Sequence, residues 1–414
     1  MIKPIYAMWI LFTFLGLQNL AVRAETITVD LSEATVLTLQ ANPDLAVAMR
    51  GREIESGQQL QAASRPNPTL SGQVQDLRSQ NRVTTIAISQ QLETADKRDK
   101  RMVAAGAAFD IAEVDIHIAQ AEISAKTYAA FYQVLAAQQA QKLAQELLEI
   151  ATTTKDTTTK RVLAGKISPV EETKAKVAEA SLKIDLANSN QQLAISKQRL
   201  ASLWAKSEGQ TDYVVVGELE NLKELPKQSE LMAQLADSPR LKKAALAIQE
   251  KQAISNIELS KQTPDVTVSL GVQRNEELGG ITQAMIGLSI PIPVFDKNQG
   301  NLLSAKAREY QSIDEKTALE NQLQTELKDA YSRRQLQVEA SNMYKQDILQ
   351  GAQSAYEAAR KGFEYGKFSF LEVLDAQRTL FQAKMQFIQT LTMAHIAEAD
   401  IQRILGRSNL KETP

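Results

Sequence analysis

From Arg98 to Leu163 the sequence runs without a proline and with a single glycine, Gly106. Along it Ile111, Val114, Ile118, Ala121, Ala125, Tyr128, Tyr132 and Leu135 step by three and four, the spacing of one helical face packed on a partner helix. A second apolar stripe, Ile116, Ile123, Ala130, Val134 and Ala137, lies on another face. At 1.5 Å per residue such a helix is a rod of roughly 100 Å, far longer than the helices of a compact domain. Two stripes demand neighbours on two sides. The chain therefore predicts helices standing side by side in a cylinder. Aromatic residues make up only 5%, and Ala, Gln, Lys, Glu and Leu are abundant, the mix that long paired helices use.

A turn at Gly165 and a return helix from Pro169 to about Trp204 follow. The remainder of the chain then restates its own landmarks. Asn42-Pro43-Asp44-Leu45 is answered by Ser238-Pro239-Arg240-Leu241, and Asn67-Pro68-Thr69-Leu70 by Thr263-Pro264-Asp265-Val266. Asp96-Lys97 is answered by Asp296-Lys297, Gly165-Lys166-Ile167-Ser168 by Gly366-Lys367-Phe368-Ser369, and Gln198-Arg199-Leu200 by Gln402-Arg403-Ile404. Landmarks in one order with little drift read as one unit written twice, over 25–220 and 221–406, with 407–414 as a tail. In each unit a shorter helix follows a proline (Asp44 to Ala63; Arg240 to Lys261), where the missing N–H costs nothing. The second unit repeats the long pattern from Gly300 to Lys361 and, after a turn at Gly366, from Phe370 to Leu405.

Each unit also holds two stretches with a period of two, near 68–77 and 83–92, then near 265–274 and 281–292. Val266, Val268, Leu270 and Val272 alternate with Thr267, Ser269, Gly271 and Gln273. Ile286, Leu288, Ile290 and Ile292 do the same beyond Gly279-Gly280, and Leu70, Val74, Ile86 and Ile88 repeat the pattern more faintly. One apolar and one polar face match a lipid-facing and lumen-facing alternation. Four strands cannot close a barrel, and open edges are not tolerated in lipid, so several copies are expected to share one. The fold class is mainly α with a small β part, a duplicated β-β-α-α unit in an obligate oligomer.

Lys3, the apolar stretch from Ile5 to Leu17, and Val22-Arg23-Ala24 have the order of a secretory signal peptide over residues 1–24. No later window of 18 apolar residues predicts a transmembrane helix. The chain has no cysteine, which removes disulfides, thiolate sites and a lipidated cysteine, so membrane attachment is expected from folded surface. The net charge of −2 becomes more negative once Lys3 and Arg23 leave with the leader, which does not suggest nucleic-acid binding.

With the doubled unit, Asn42-Pro43 and the two glycine turns in view, the chain resembles the TolC superfamily of outer-membrane efflux proteins along essentially its whole mature length. Within it, Ile290-Pro291-Ile292-Pro293-Val294-Phe295-Asp296-Lys297-Asn298-Gln299-Gly300 resembles the heavy-metal, Czc-type (cobalt-zinc-cadmium) members. The resemblance implies a homotrimer whose protomers each give four strands to one outer-membrane β-barrel and long helices to a periplasmic α-barrel. It also implies a periplasmic adaptor, an inner-membrane RND pump, and a mixed region near Lys206 to Leu235 with the run Val214-Val215-Val216. The function implied is a passive exit duct for divalent metal cations. The same fold serving drug efflux or type I protein secretion is the alternative, and a pore-free periplasmic adaptor or coiled-coil scaffold is a rival of another class.

The resemblance assigns Glu372 and Asp375 to a narrow periplasmic aperture, with Glu171 at the corresponding place in the first half. Spaced by three, the first two share a helix face; acids in a first turn also complement the helix dipole, whatever else they do. The turns at Gly165, Lys166, Gly366 and Lys367 are the expected tips and adaptor contacts. Phe363 and Phe368 stand where the family's polar tip lock has its second-half partners, so apolar contact is expected in its place. His117 near Asp110 and Glu113 reads as a solvated stripe, and His395 on the line of Leu374, Phe381 and Ile388 as a helix-interface residue. Met343, Met385 and Met393 read as core packing, and Thr152 to Thr159 as a solvated tip face. Gly362 to Lys367 lacks the spacing and the Ser or Thr of a phosphate loop. No nucleophile elbow, zinc motif or dinucleotide fingerprint is present, so neither catalysis nor a cofactor is expected.

Overall fold

The structure, a computed structural model, describes residues 27–204 and 213–408. The expected leader lies outside the described residues, as does the expected tail apart from Arg407 and Ser408. Strand β1 (Ile27–Val29) and helix α1 (Leu31–Ala41) lead into α2 (Pro43–Ala63), strands β2 (Thr69–Gln75) and β3 (Val83–Leu92), and helices α3 (Lys97–Leu163) and α4 (Pro169–Ser202). Strand β4 (Tyr213–Val215) and α5 (Gln228–Gln234) connect to α6 (Pro239–Ser260), β5 (Val266–Asn275) and β6 (Ile281–Ser289). Helices α7 (Gln299–Met343), α8 (Leu349–Glu364) and α9 (Phe370–Leu405) complete the chain.

Three helices begin as the sequence predicts. The side chains of Asn42, Ser168 and Ser238 accept backbone N–H groups of the first turn, and a proline follows each. Helices α3 and α7 start differently, because their N-caps Asp96 and Asn298 are left-handed at φ 54° and 57°. The chain thus turns abruptly from strand into helix. The equivalent starts are Asp96 and Asn298, two residues beyond the Asp96–Asp296 match read in the sequence. The continuous helix expected from Gly300 to Lys361 is interrupted by a π-turn over Tyr344–Ile348 that separates α7 from α8. Strand β6 stops at Ser289 and not near 292, since Pro291 has no N–H for the ladder. Strand β1 and helix α1 were not foreseen; β1 pairs in parallel with β4, the strand formed by the expected valine run.

Helix α3, with 67 residues, is the spine of the protomer. It packs against α2, α6, α4 and α9, while α7 lies on α6 and α9, and α8 on α9. A central core gathers Phe131, Val134 and Leu135 of α3, Leu200 and Trp204, and Tyr213, Val215 and Leu219. A second cluster joins α4, α8 and α9 near the turns, and a third joins α5, α6, α7 and α9. Both stripes read on α3 contribute: Val114, Ala121, Ala125 and Leu135 from one, Ile123, Val134 and Ala137 from the other, are buried.

The sheet is antiparallel in the order β2-β3-β5-β6, so β2 and β6 are its free edges. Its register aligns Leu70, Ile88, Leu270 and Ile286 in one cross-strand row, and Gly72, Ile86, Val272 and Ala284 in a second on the same face. The opposite face carries the row Gln73, Thr85, Gln273 and Gln283. Leu70, Ile88, Leu270 and Ile286 are exposed, and nothing among the described residues covers their face.

Candidate functional site at the helix turns

Both long helix pairs reverse at Gly165 and Gly366, with φ of +66° and +73°. The N–H of Lys166 bonds the Arg161 carbonyl at 2.9 Å and that of Gly165 the Val162 carbonyl at 2.9 Å. Lys367 and Gly366 repeat the pattern on Gly362 and Phe363 at 2.8 and 3.0 Å. This Schellman closure satisfies helix-end carbonyls and calls for a left-handed residue, which glycine supplies without strain. Ser168 and Ser369 then start the return helices.

Arg161 ties the two turns together. Its guanidinium donates to the carbonyls of Phe363 and Glu364 at 2.9 and 3.1 Å and lies 4.5 Å from the centroid of the Phe363 ring. A cation is thereby placed on the last carbonyls of α8, where the helix dipole is negative. The ring contact adds a cation–π term. Sequence reasoning missed this residue; its only signal was a basic side chain in the last turn of α3. Phe363 is buried, 6.2 Å from the Phe370 ring. Phe368 packs across Gly362, where an added Cβ would come within 2.3 Å of the ring. Both rings thus pack within the second turn, and the contact from the first turn is the polar and cation–π tie of Arg161.

Glu372 and Asp375 are exposed on the first turns of α9. Glu372 also accepts the Ser369 N–H at 2.6 Å, so it completes a capping box while facing solvent. Glu171 starts α4 and is half-buried: its Oε1 lies 3.2 Å from Lys174 Nζ, and its buried Oε2 has no partner among the described residues. The structure thus brings Glu372 and Asp375 together on α9 and sets Glu171 apart on α4. Lys166 and Lys367 are exposed and make no ion pair among the described residues.

The tract from Thr152 to Thr159 is only partly a solvated face, because Thr158 is buried. Its hydroxyls bond back one turn, as Thr154 does to Ile150 at 2.8 Å. Lys155 and Thr159 reach Glu179 and Glu172 of α4 at 3.3 Å each. Thr153, Thr154 and Thr157 line a groove of about 630 Å³ that faces Tyr356, Arg360 and Phe363.

His117 is exposed, with Glu113 beside Arg52 at 3.9 Å, and no metal-binding cluster occurs among the described residues. His395 is the opposite case, 1% exposed in the protomer. Its Nε2 lies 2.9 Å from the Leu219 carbonyl and its Nδ1 2.9 Å from the Tyr128 hydroxyl. A carbonyl only accepts, so Nε2 carries the proton and Tyr128 donates to Nδ1. Tyr132 stacks on the ring at 3.5 Å. Burial lowers its pKa to about 4; the Leu219 bond opposes this, and the nearby Arg334 charge adds a smaller lowering. Arg334, also buried, holds Glu398 at 3.0 Å and the Lys223 carbonyl. These two residues fasten the segment after β4 to α7 and α9. Met343 and Met393, expected in the core, are exposed in the protomer, and Met385 is half-buried. The helices they sit on are present, but the faces of Met343 and Met393 are not covered among the described residues.

At the sheet end, Lys97 meets Asp265 at 2.5 Å with both side chains largely buried. Burial alone would raise the Asp265 carboxyl, but bonds from Lys97, Thr94 and Gln91 outweigh it and hold the pKa below the usual range.

The chain matches the family of outer membrane efflux proteins over residues 35–206 and 231–407. It is 36% identical over 377 residues to the cobalt-zinc-cadmium resistance protein CzcC of Cupriavidus metallidurans, covering 91% of this chain and 90% of that one. The cation efflux system protein CusC of Escherichia coli K12 is 26% identical over 312 residues, 72% of this chain and 66% of that one. A crystal structure of CusC has the same fold, with a TM-score of 0.78 at 20% identity over 92% of this chain and 94% of that one. With long paired helices, a one-sided sheet and both halves of its length matched, the chain belongs to the outer membrane efflux protein family, whose members are channels and not enzymes.

Proposed function

We propose that this protein is the exit duct of a three-part efflux system and passes divalent heavy-metal cations out of the cell. The carrying observation is the sheet, with an uncovered apolar face and two free edges. In lipid those edges must be paired, and the smallest membrane barrels have about eight strands. Three copies around one axis, each contributing four strands, meet both demands. The helices make the same demand. Val170, Val177 and Ile184 are exposed on α4 at intervals of seven, as are Leu336 and Met343 on α7 at the other margin. Such seams await a neighbouring helix, and a homotrimer closes them into a tunnel. The order of elements in the halves 25–220 and 221–406 supports one unit used twice.

The tips around Gly165 and Gly366 are the periplasmic end, where Glu372, Asp375 and Glu171 would be multiplied into rings by the threefold axis. Carboxylate rings favour cations and oppose anions. The cargo reading is supported by the likeness to CzcC, named for cobalt, zinc and cadmium resistance. A periplasmic adaptor would dock on the tips through Lys166 and Lys367, and an inner-membrane RND pump would supply the energy. A relative in Salmonella typhimurium, SilC, is named a probable outer membrane lipoprotein. This sequence has no cysteine to carry such a lipid, so the barrel itself would hold the protein in the outer membrane.

The test is a deletion strain grown across cobalt, zinc, cadmium, nickel and copper, with drugs as controls. The expected outcome is sensitivity to some of these metals with raised intracellular metal, both reversed by the intact gene. Drug sensitivity with unchanged metal tolerance would reassign the cargo and leave the duct intact.

A further inference from the structure

Strand β6 ends at Ser289, but its apolar row does not. Ile286 and Leu288, on the apolar face of the sheet, are followed at the same parity by Ile290 and Ile292, with Val294 next beyond them. All five are exposed, Ile292 at 82%, and Phe295 at 93% is the most exposed large apolar side chain among the described residues. Pro291 and Pro293 fill the alternate positions, where they cannot extend the ladder. The Val294 N–H bonds the Ile292 carbonyl at 2.9 Å, a tight turn at Pro293 that ends the alternation. Asp296 and Lys297 follow at once. The corresponding connection after β3 exposes one apolar residue of that row, Leu92, and then turns to charged pairs, Lys97 with Asp265 and Arg101 with Glu93. The longer apolar run is therefore particular to residues 290–295.

We infer that Ile290–Phe295 is a membrane-surface anchor, seated in the phospholipid leaflet nearest the long helices. The inference rests on the lipid-facing orientation proposed for the sheet's apolar face. Lipid is favoured over a second copy of the chain by direction. Ile290 and Ile292 continue the parity of Ile286 and Leu288 up to the turn at Pro293 and so stand roughly perpendicular to the sheet, whereas a copy pairing on β6 would lie within its plane. The two prolines also lack N–H groups, which lowers the cost of drying a backbone outside the ladder. The carbonyls still need water, which sets the depth at the membrane boundary and not in the hydrocarbon core. An aromatic ring followed by charges is the order that suits that boundary.

The absence of cysteine makes the test direct. Single variants Val294→Cys, Ile286→Cys and Gln283→Cys of the full chain are labelled with an environment-sensitive fluorophore. They are reconstituted in phosphatidylethanolamine–phosphatidylglycerol vesicles containing nitroxide lipids. The expected result is quenching at residue 294 by roughly half, as at residue 286, with little at the lumen-side residue 283. A nitroxide near the headgroup should act more strongly on 294 than one at the acyl terminus. Quenching at 286 with none at 294 would overturn the anchor and leave the barrel standing. Aqueous iodide then separates a site open to water from one covered by a second copy; either result counts against it. No quenching at 286 would instead overturn the sheet's lipid-facing orientation, and the anchor with it.

Discussion

Arg161 illustrates how much one side chain can hold at the end of two long helices. It supplies two charge-assisted hydrogen bonds and one ring contact to the opposite turn. Partly solvated bonds of this kind contribute on the order of 1–2 kcal/mol together. Arg161→Ala should therefore speed amide exchange at Gly366 and Lys367 by about tenfold, with Arg161→Lys in between. Unchanged exchange would mean that the turn stands without the tie. His395 makes the second residue-scale prediction. Its pKa falls from 6.5 in the unfolded chain to about 4 when folded. The folded state thus disfavours the proton that the unfolded state accepts. Stability from this group is complete above pH 6.5, declines as pH falls towards 4 and is level below that. The full difference is about 3 kcal/mol, and urea midpoints across that range should show the slope. In His395→Asn the slope should flatten.

Elements differ in how they use solvent. Helices α4 and α7 keep apolar residues at intervals of seven on their outer faces, while strands β2, β3, β5 and β6 put theirs on one side of the sheet. Leu270 and Gln273 lie three apart in β5 on opposite faces. Leu270→Arg places a charge on the apolar row, at about 3 kcal/mol per protomer near mid-membrane. Gln273→Arg places the same charge on the polar row and should be nearly neutral. Comparing folded protein in outer-membrane fractions checks this; equal loss in both variants would contradict the assignment of faces. The π-turn at Tyr344–Ile348 marks a place where one long helix changes register, and an extra residue in a turn rotates all that follows. Beyond it α8 presents Ala352, Tyr356, Ala359 and Phe363 to the cluster shared with α4 and α9, while Leu323, Leu327 and Ala330 of α7 pack nearer the other end of α9.

At the scale of the molecule, one chain is a panel whose margins are unfinished. Helix α4 forms one margin and α7 with α8 the other, and α3 stiffens the middle. Symmetric closure turns equal panels into a tube, because each left margin meets a right margin. The double variant Val177→Glu, Ile184→Glu puts charge into that seam and should leave monomers in detergent, where the parent protein is expected to run as the proposed trimer. Light scattering of the purified species decides it. A trimer that survives both changes would place the seam elsewhere.

Much of this was legible in the sequence because it is local. Helix lengths, proline starts, glycine turns and strand parity repeat within a few residues, and each follows from backbone sterics or a fixed period. The rows Leu70–Ile88–Leu270–Ile286 could be read as faces before their register was known. What only the tertiary structure decided is the pairing of groups far apart along the chain. Arg161 with Phe363 and Glu364, His395 with Leu219 and Tyr128, and β1 with β4 leave no period behind them. Met343 shows the same limit from the other side. Its spacing announced a packed face, but whether that face is filled by the same chain or by another depends on where distant helices lie.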